Sequence, residues 1–155
     1  MQTFLTVLSN WLVSQEIIPE VAQPTDESQE DKTFWQEFPE DDNQVNNCVL
    51  LAQYNNMGDS YRTPGALLYA MQIVIRNQNH TIALHQATVV ADKLRNISTE
   101  DPFIDVLYQT EELVEKSGYF ILRCDNGPTK LSEDAQGRFL YSVSFYITTN
   151  IKEEQ

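Results

Sequence analysis

An α+β fold is what this sequence predicts: a single mixed or antiparallel β-sheet with two helices packed on one face, plus an acidic loop insertion. Three observations predict it. Residues 67–75 and 139–149 alternate large apolar side chains with smaller or polar ones, at the period of a strand. Between them, residues 80–97 carry one apolar stripe at helical spacing. No strand–helix unit repeats along the chain, so helices and strands are segregated. At 155 residues the size prior gives one domain, 1–155, long enough to bury a core without staples.

Taken in order, residues 3–17 read as a helix, with Phe4, Leu5, Leu8, Trp11 and Leu12 on one side and Pro19 as its stop. Amphipathicity marks a core-facing surface helix, so the expectation is a docking helix that closes the core, with a detachable partner-binding helix as the alternative. Residues 20–44 change character, with nine acidic residues against the single base Lys32, a net charge of -8. Within it, residues 23–32 have almost no apolar anchor and read as a mobile loop. Phe34, Trp35 and Phe38 then pin the chain again, as a short strand.

Residues 48–54 (CVLLAQY) read as a short apolar strand, and 55–65 as a loop broken by Asn, Gly and Pro64-Gly65. The stretch 66–97 organises the rest. Leu67, Tyr69, Met71, Ile73 and Ile75 make one apolar face. Leu68, Ala70, Gln72, Val74 and Arg76 make a half-polar one that ends in a charge. Asn79 is the expected N-cap of a helix whose stripe is Ala83, Ala87, Val90, Ala91, Leu94 and Ile97. That stripe is narrow and rich in alanine, so the helix lies close to a sheet.

Pro102 forbids continuation of this helix. Residues 103–108 suit a short strand, while 110–116 suit either a helical turn or an edge strand. Residues 119–124 (YFILRC) form a strand, turned by Asn126-Gly127-Pro128. The final strand is the clearest alternation in the chain, with Phe139, Tyr141, Val143, Phe145, Ile147 and Thr149 facing one way. Its simplest mate is the 119–124 strand, antiparallel.

Composition excludes several functions. A net charge of -13 argues against an electrostatic grip on nucleic acid, which needs clustered Lys and Arg. The first residues lack the basic start of a signal peptide, and no apolar run approaches membrane-spanning length. An intracellular, reducing environment is the expectation, with Cys48 and Cys124 as reduced strand residues. The two histidines, His80 and His85, point in different directions on a helix, so they do not share a metal. The acidic segment lacks glycine, which a calcium loop requires. Acid pairs such as Glu111-Glu112 and Glu133-Asp134 are expected by chance in so acidic a chain. No nucleophile pattern, Gly-rich phosphate loop or metal-ligand spacing emerges. No catalytic residue, cofactor or metal site is therefore expected.

The run MQIVIRNQNHTIALHQATVVADKL resembles a pattern in the tail terminator proteins of long-tailed bacteriophages, also labelled minor capsid proteins. Gln72, Ile73, Ile75 and Arg76 occupy the strand positions, and Ala83, Ala87 and Leu94 the helix positions. Gly127-Pro128, Asp134, Gly137-Arg138 and YSVSFYI at 141–147 are similar to that family's closing hairpin. The resemblance covers about the last ninety residues and, loosely, the first helix. The acidic segment departs from it.

The resemblance implies an α+β protein without catalysis, located in the virion tail at the head–tail interface and assembled in the host cytoplasm. It implies a homo-hexameric ring that caps the tail tube, stops its polymerisation and joins tail to head. The partners implied are a second copy of the chain, the tail tube protein and a head completion or connector protein. DNA passes through the lumen without specific binding, and no membrane is involved. The expected interface residues are Arg62, Gln72, Arg76, Lys130 and Arg138, with Arg76 pairing across a subunit boundary or with a tube subunit and the loops 55–65 and 125–137 reaching the tube or connector. Two other readings stand beside it. One is a small acidic adaptor or inhibitor domain that binds a basic protein, and the other an unrecognised hydrolase.

Overall fold

The computed structural model describes residues 3–39, 45–59, 65–98, 104–110, 114–124 and 127–152. Along the described residues the elements are α1 (Thr3–Ser14), β1 (Thr33–Trp35), β2 (Cys48–Asp59), β3 (Leu67–Asn77), α2 (His80–Ile97), β4 (Ile104–Gln109), β5 (Glu115–Arg123), β6 (Thr129–Lys130) and β7 (Phe139–Thr149). The strands form one sheet in the order β1-β2-β3-β7-β5-β4, with β6 beside β7. Every neighbouring pair is antiparallel except β1 and β2, so the sheet is mixed and the fold is α+β.

The two strongest alternations meet at the centre. β3 and β7 pair along their whole length, from Leu67 opposite Thr149 to Asn77 opposite Phe139. This register keeps like faces together. Tyr69, Met71, Ile73 and Ile75 lie level with Ile147, Phe145, Val143 and Tyr141, and all eight are buried. β5 covers the far half of β7 through Phe120 and Leu122, and β6 covers the near half at Tyr141 and Ser142.

Both helices lie on this apolar face. Phe4 of α1 stacks on Tyr69 with ring centroids 4.2 Å apart and meets Phe120 edge-on at 6.1 Å. Phe4, Leu5, Leu8 and Leu12 are all buried, and each such side chain contributes roughly 1.5–3 kcal/mol on leaving water. α2 offers Ala83, Ala87, Val90, Ala91 and Leu94, and its alanines allow close approach. As expected, Asn79 caps α2, its side chain accepting from the Ile82 N–H at 3.1 Å. Lys93 of α2 donates to the Glu16 carbonyl, which ties the two helices together.

Two segments differ from the sequence reading, and a third that it left open is decided. α1 ends at Ser14, before Pro19 acts. The Glu16 N–H donates to Val13 and the Ile17 N–H to Leu12, while Glu16 takes φ 58°. This is a Schellman turn, completed by buried Leu12 and Ile17. β2 runs on to Asp59 through residues expected as a loop, with register shifts at Gln53/Asn55 and Asn56/Asp59. Bulges accommodate residues with poor strand preference and increase local bend, and the sheet curls into a half-barrel. Finally, residues 104–109 and 115–123 form an antiparallel pair, so the strand reading of 103–108 applies and Glu115 and Lys116 open a strand.

The acidic segment is stitched to the sheet over its described part. Thr33 makes a parallel bridge with Val21, and its hydroxyl donates to the Pro19 carbonyl at 2.7 Å. The Glu30 carboxylate accepts the backbone N–H groups of Asn46 and Asn47 at 2.5 and 3.0 Å. Residues 40–44, which include Asp41 and Asp42, lie outside the described residues. No helix among the described residues is long and apolar enough to cross a membrane.

Candidate functional site

Opposite the helices, the sheet presents the half-polar face of β3. Here the structure gathers two of the five expected interface residues. Arg76 and Arg138 are both buried, each 2 % exposed. Arg76 Nη2 donates to the Val45 carbonyl at 2.6 Å, and Arg138 Nη1 donates to the same oxygen at 3.1 Å. The Arg76 guanidinium also lies 4.3 Å from the centre of the Phe38 ring. Arg76 thus holds Phe38 of the acidic segment and Val45 just beyond it against the sheet, and Arg138 holds Val45 as well. Arg76 is neither a solvated strand end nor the edge of an open polar patch.

Local sequence explains the Arg138 half of this site. Asp134 begins a tight turn, its Oδ1 accepting from the N–H groups of Gln136 and Arg138 at 2.9 and 3.0 Å. Gly137 supplies the positive φ of 76° that the turn needs. Asp134 Oδ2 then receives Arg138 Nε at 2.6 Å. Burial opposes the Asp134 charge, but the two backbone N–H groups and the Arg138 guanidinium outweigh it and hold the carboxyl below its ordinary range. Asp134 of the acid pair Glu133-Asp134 is therefore a turn-building residue. Glu111-Glu112 lies outside the described residues.

The other expected residues are dispersed. Gln72 sits mid-strand, between Ala52 of β2 and Ser144 of β7, and is half-buried. Lys130 on β6 is exposed, with Nζ 5.8 Å from the centre of the Phe139 ring. It belongs to a cluster at the start of α2, where His80 Nε2 hydrogen-bonds the Tyr141 hydroxyl at 2.5 Å. Arg62 lies outside the described residues, as do residues 60–64 and 125–126 of the two expected contact loops.

Sequence reasoning missed the surfaces that the described residues leave uncovered. Beyond the acidic segment, the half-polar face carries Tyr146 in register with Arg123 and Ala70, and Thr148 in register with Ile121 and Leu68. Leu107 of β4 is 71 % exposed. The signal for it was available: in IDVLY, Leu107 is out of phase with the core-facing Val106. Without the strand's partner, its phase had no meaning. Among the described residues, no group of three His, Cys, Asp or Glu is placed to hold a metal ion. Cys48 and Cys124 are buried cysteines that form no disulfide among the described residues.

The fold and its faces can now be set beside known proteins. No curated protein matches the chain. A family model described as bacteriophage tail terminator protein matches residues 19–151. The match takes in every strand, α2 and the acidic segment, which thus falls inside the family pattern, whereas α1 precedes it. It spans most of the chain, and the chain therefore belongs to the bacteriophage tail terminator family, a family of structural components of the phage tail.

Proposed function

We propose that this tail terminator forms a closed hexameric ring that caps the finished tail tube, ends tube polymerisation and offers its far side to the filled head. The family match over residues 19–151 is the observation that carries this reading. Ring closure requires a heterologous contact between two different patches of one chain. The sheet supports it with two unlike flanks: β1 and the acidic segment on one side, β4 and β5 on the other. The tail tube protein is the partner below, and a head completion or connector protein the partner above. The ring works at the head–tail interface of the virion, after assembly in the host cytoplasm.

The net charge of -13 supports a further part of the reading. DNA crosses the ring's opening, and carboxylates facing it keep the duplex from adhering. A structure of the ring tests this. Carboxylates of residues 20–44 along the lumen are the expected result, and an outer-wall position with no acidic lumen sinks the idea. The role of capping is tested by adding the protein to growing tubes of the tail tube subunit. Tubes of fixed length bearing a terminal ring are expected, and tubes that grow on unaffected contradict the proposal.

A further inference from the structure

We infer that neighbouring copies join through main-chain pairing of two sheet edges that no other described strand covers, the outer edge of β4 in one copy and residues 54–59 of β2 in the next. The inference rests on the ring reading and specifies its contact.

Begin with β4. The Thr110 N–H donates to the Val114 carbonyl, which sets the phase of the β4–β5 ladder. In an antiparallel pair, residues alternate between bonding their partner and pointing away. Counting back along the register, Ile104, Val106 and Tyr108 bond β5, and Asp105, Leu107 and Gln109 point outward. An independent bond agrees: the Tyr119 N–H, opposite Asp105, donates away from β4 to Asn150 Oδ1 at 3.0 Å. β4 is the last strand of the sheet, and its edge carries no Pro, Lys or Arg and exposes Leu107. Edges left in that state are templates for another strand.

The other end of the sheet is treated differently. β1 covers β2 only at Val49, Leu50 and Leu51, and the Gln36 side chain takes the Gln53 N–H at 2.8 Å. β1 is itself covered, through the Val21 bridge to Thr33. The chain thus closes the near half of this flank with its own residues. Residues 54–59 of β2 extend past β1, a length comparable with the six residues of β4. The Val49 N–H and the Leu51 carbonyl both bond outward. Carried through the register shift, this phase points Asn56, opposite Tyr69, outward as well.

Two edges left unpaired among the described residues, at opposite ends of one sheet, form a heterologous pair, which repeats and closes into a ring. Strand direction adds a constraint. Following the pairings from β2 through β3, β7 and β5, β4 runs the same way as β2. A copy rotated about an axis along the strands therefore meets its neighbour in parallel pairing.

Proline at an outward-facing edge position removes the N–H that the neighbour needs and spares the bonds within the protomer. Leu107→Pro and Asn56→Pro are the two edge variants, and Leu107→Ala removes the side chain while keeping the N–H. Native mass is measured for each, alone and with the tail tube subunit. The expected result is wild-type rings, rings with Leu107→Ala, monomers with either proline variant alone, and dimers only when the two are mixed. Rings from either proline variant overturn the inference and leave the ring reading intact. Dimers of Asn56→Pro alone overturn it in favour of β4–β4 pairing. Wild type that never assembles, alone or on the tube subunit, defeats the ring reading itself. Amide exchange on the wild-type ring does not depend on how the variants fold. Slowed exchange at Asp105, Leu107, Gln109 and residues 54–59 is expected relative to monomer, and unchanged exchange there overturns the inference.

Discussion

Arg138 is one of the bulkiest side chains the fold buries, and its guanidinium bonds both Asp134 and the Val45 carbonyl. Removing the guanidinium loses charge-assisted bonds worth roughly 1.5–3 kcal/mol each and leaves the partly exposed Asp134 carboxylate to its backbone donors and water. Arg138→Met is expected to lower the urea midpoint accordingly. Because Arg76 shares the Val45 oxygen, its loss on top of the first is expected to cost less than when made alone. Asp134 makes the same site sensitive to acid. Its folded pKa lies below the unfolded value of about 3.9, so its charge stabilises the fold above that value. The contribution disappears as pH falls through the folded pKa. The stability gap between wild type and Asp134→Asn is therefore expected at pH 6 and should shrink at pH 3. A gap independent of pH would contradict this account.

Two other positions depend on backbone and space. Glu16 holds φ 58° at the end of α1, where glycine carries no steric cost. Glu16→Gly is expected to raise stability by about 1 kcal/mol. Gly118 has no room for a methyl group. A Cβ there would lie 2.6 Å from Ile151 Cγ1 and 2.9 Å from Tyr108 Cε1. Ile151 is itself buried. Gly118→Ala is expected to cost about 1–3 kcal/mol by overpacking, and adding Ile151→Ala should recover part of that penalty. Equilibrium denaturation of the three variants measures both numbers.

Elements differ in how far the sequence disclosed them, and the reason lies in periodicity. β3, β7 and α2 each carry an unbroken apolar face, so their type and inward side chains followed from spacing alone. Asn79 was legible because capping is local, and Asn79→Ala should lower stability by about 1 kcal/mol. β1, β4 and the distal half of β2 were obscure. β1 is three residues long, and its pairing comes from a partner more than a dozen residues away. β2 continues through Asn55, Asn56 and Gly58 because β3 supplies its ladder, and tertiary pairing overrides weak local preference. The site was half legible. Alternation placed Arg76 opposite the core but could not reveal that Phe38 and Val45 cover it, since that contact joins segments far apart in sequence.

Across the described residues, one sheet has a helical face, a face partly strapped by an acidic segment, and two unpaired edges of unlike identity. Charge and shape point to the same use. A strongly acidic protein repels its own copies at low salt, so a specific edge contact between them should tighten as salt screens that repulsion. Assembly is thus expected to strengthen between low and physiological ionic strength, as read by sedimentation. Weakening over that range would mean that ion pairs, not main-chain pairing, hold the copies together.

The central claim is that this tail terminator acts as a ring on the tube. Native mass of the purified protein, alone and then with the tail tube subunit, tests it most directly. A hexamer, or a monomer that becomes a ring on the tube, is the predicted result. A strict monomer indifferent to the tube would contradict the claim and favour an acidic adaptor that binds a basic partner.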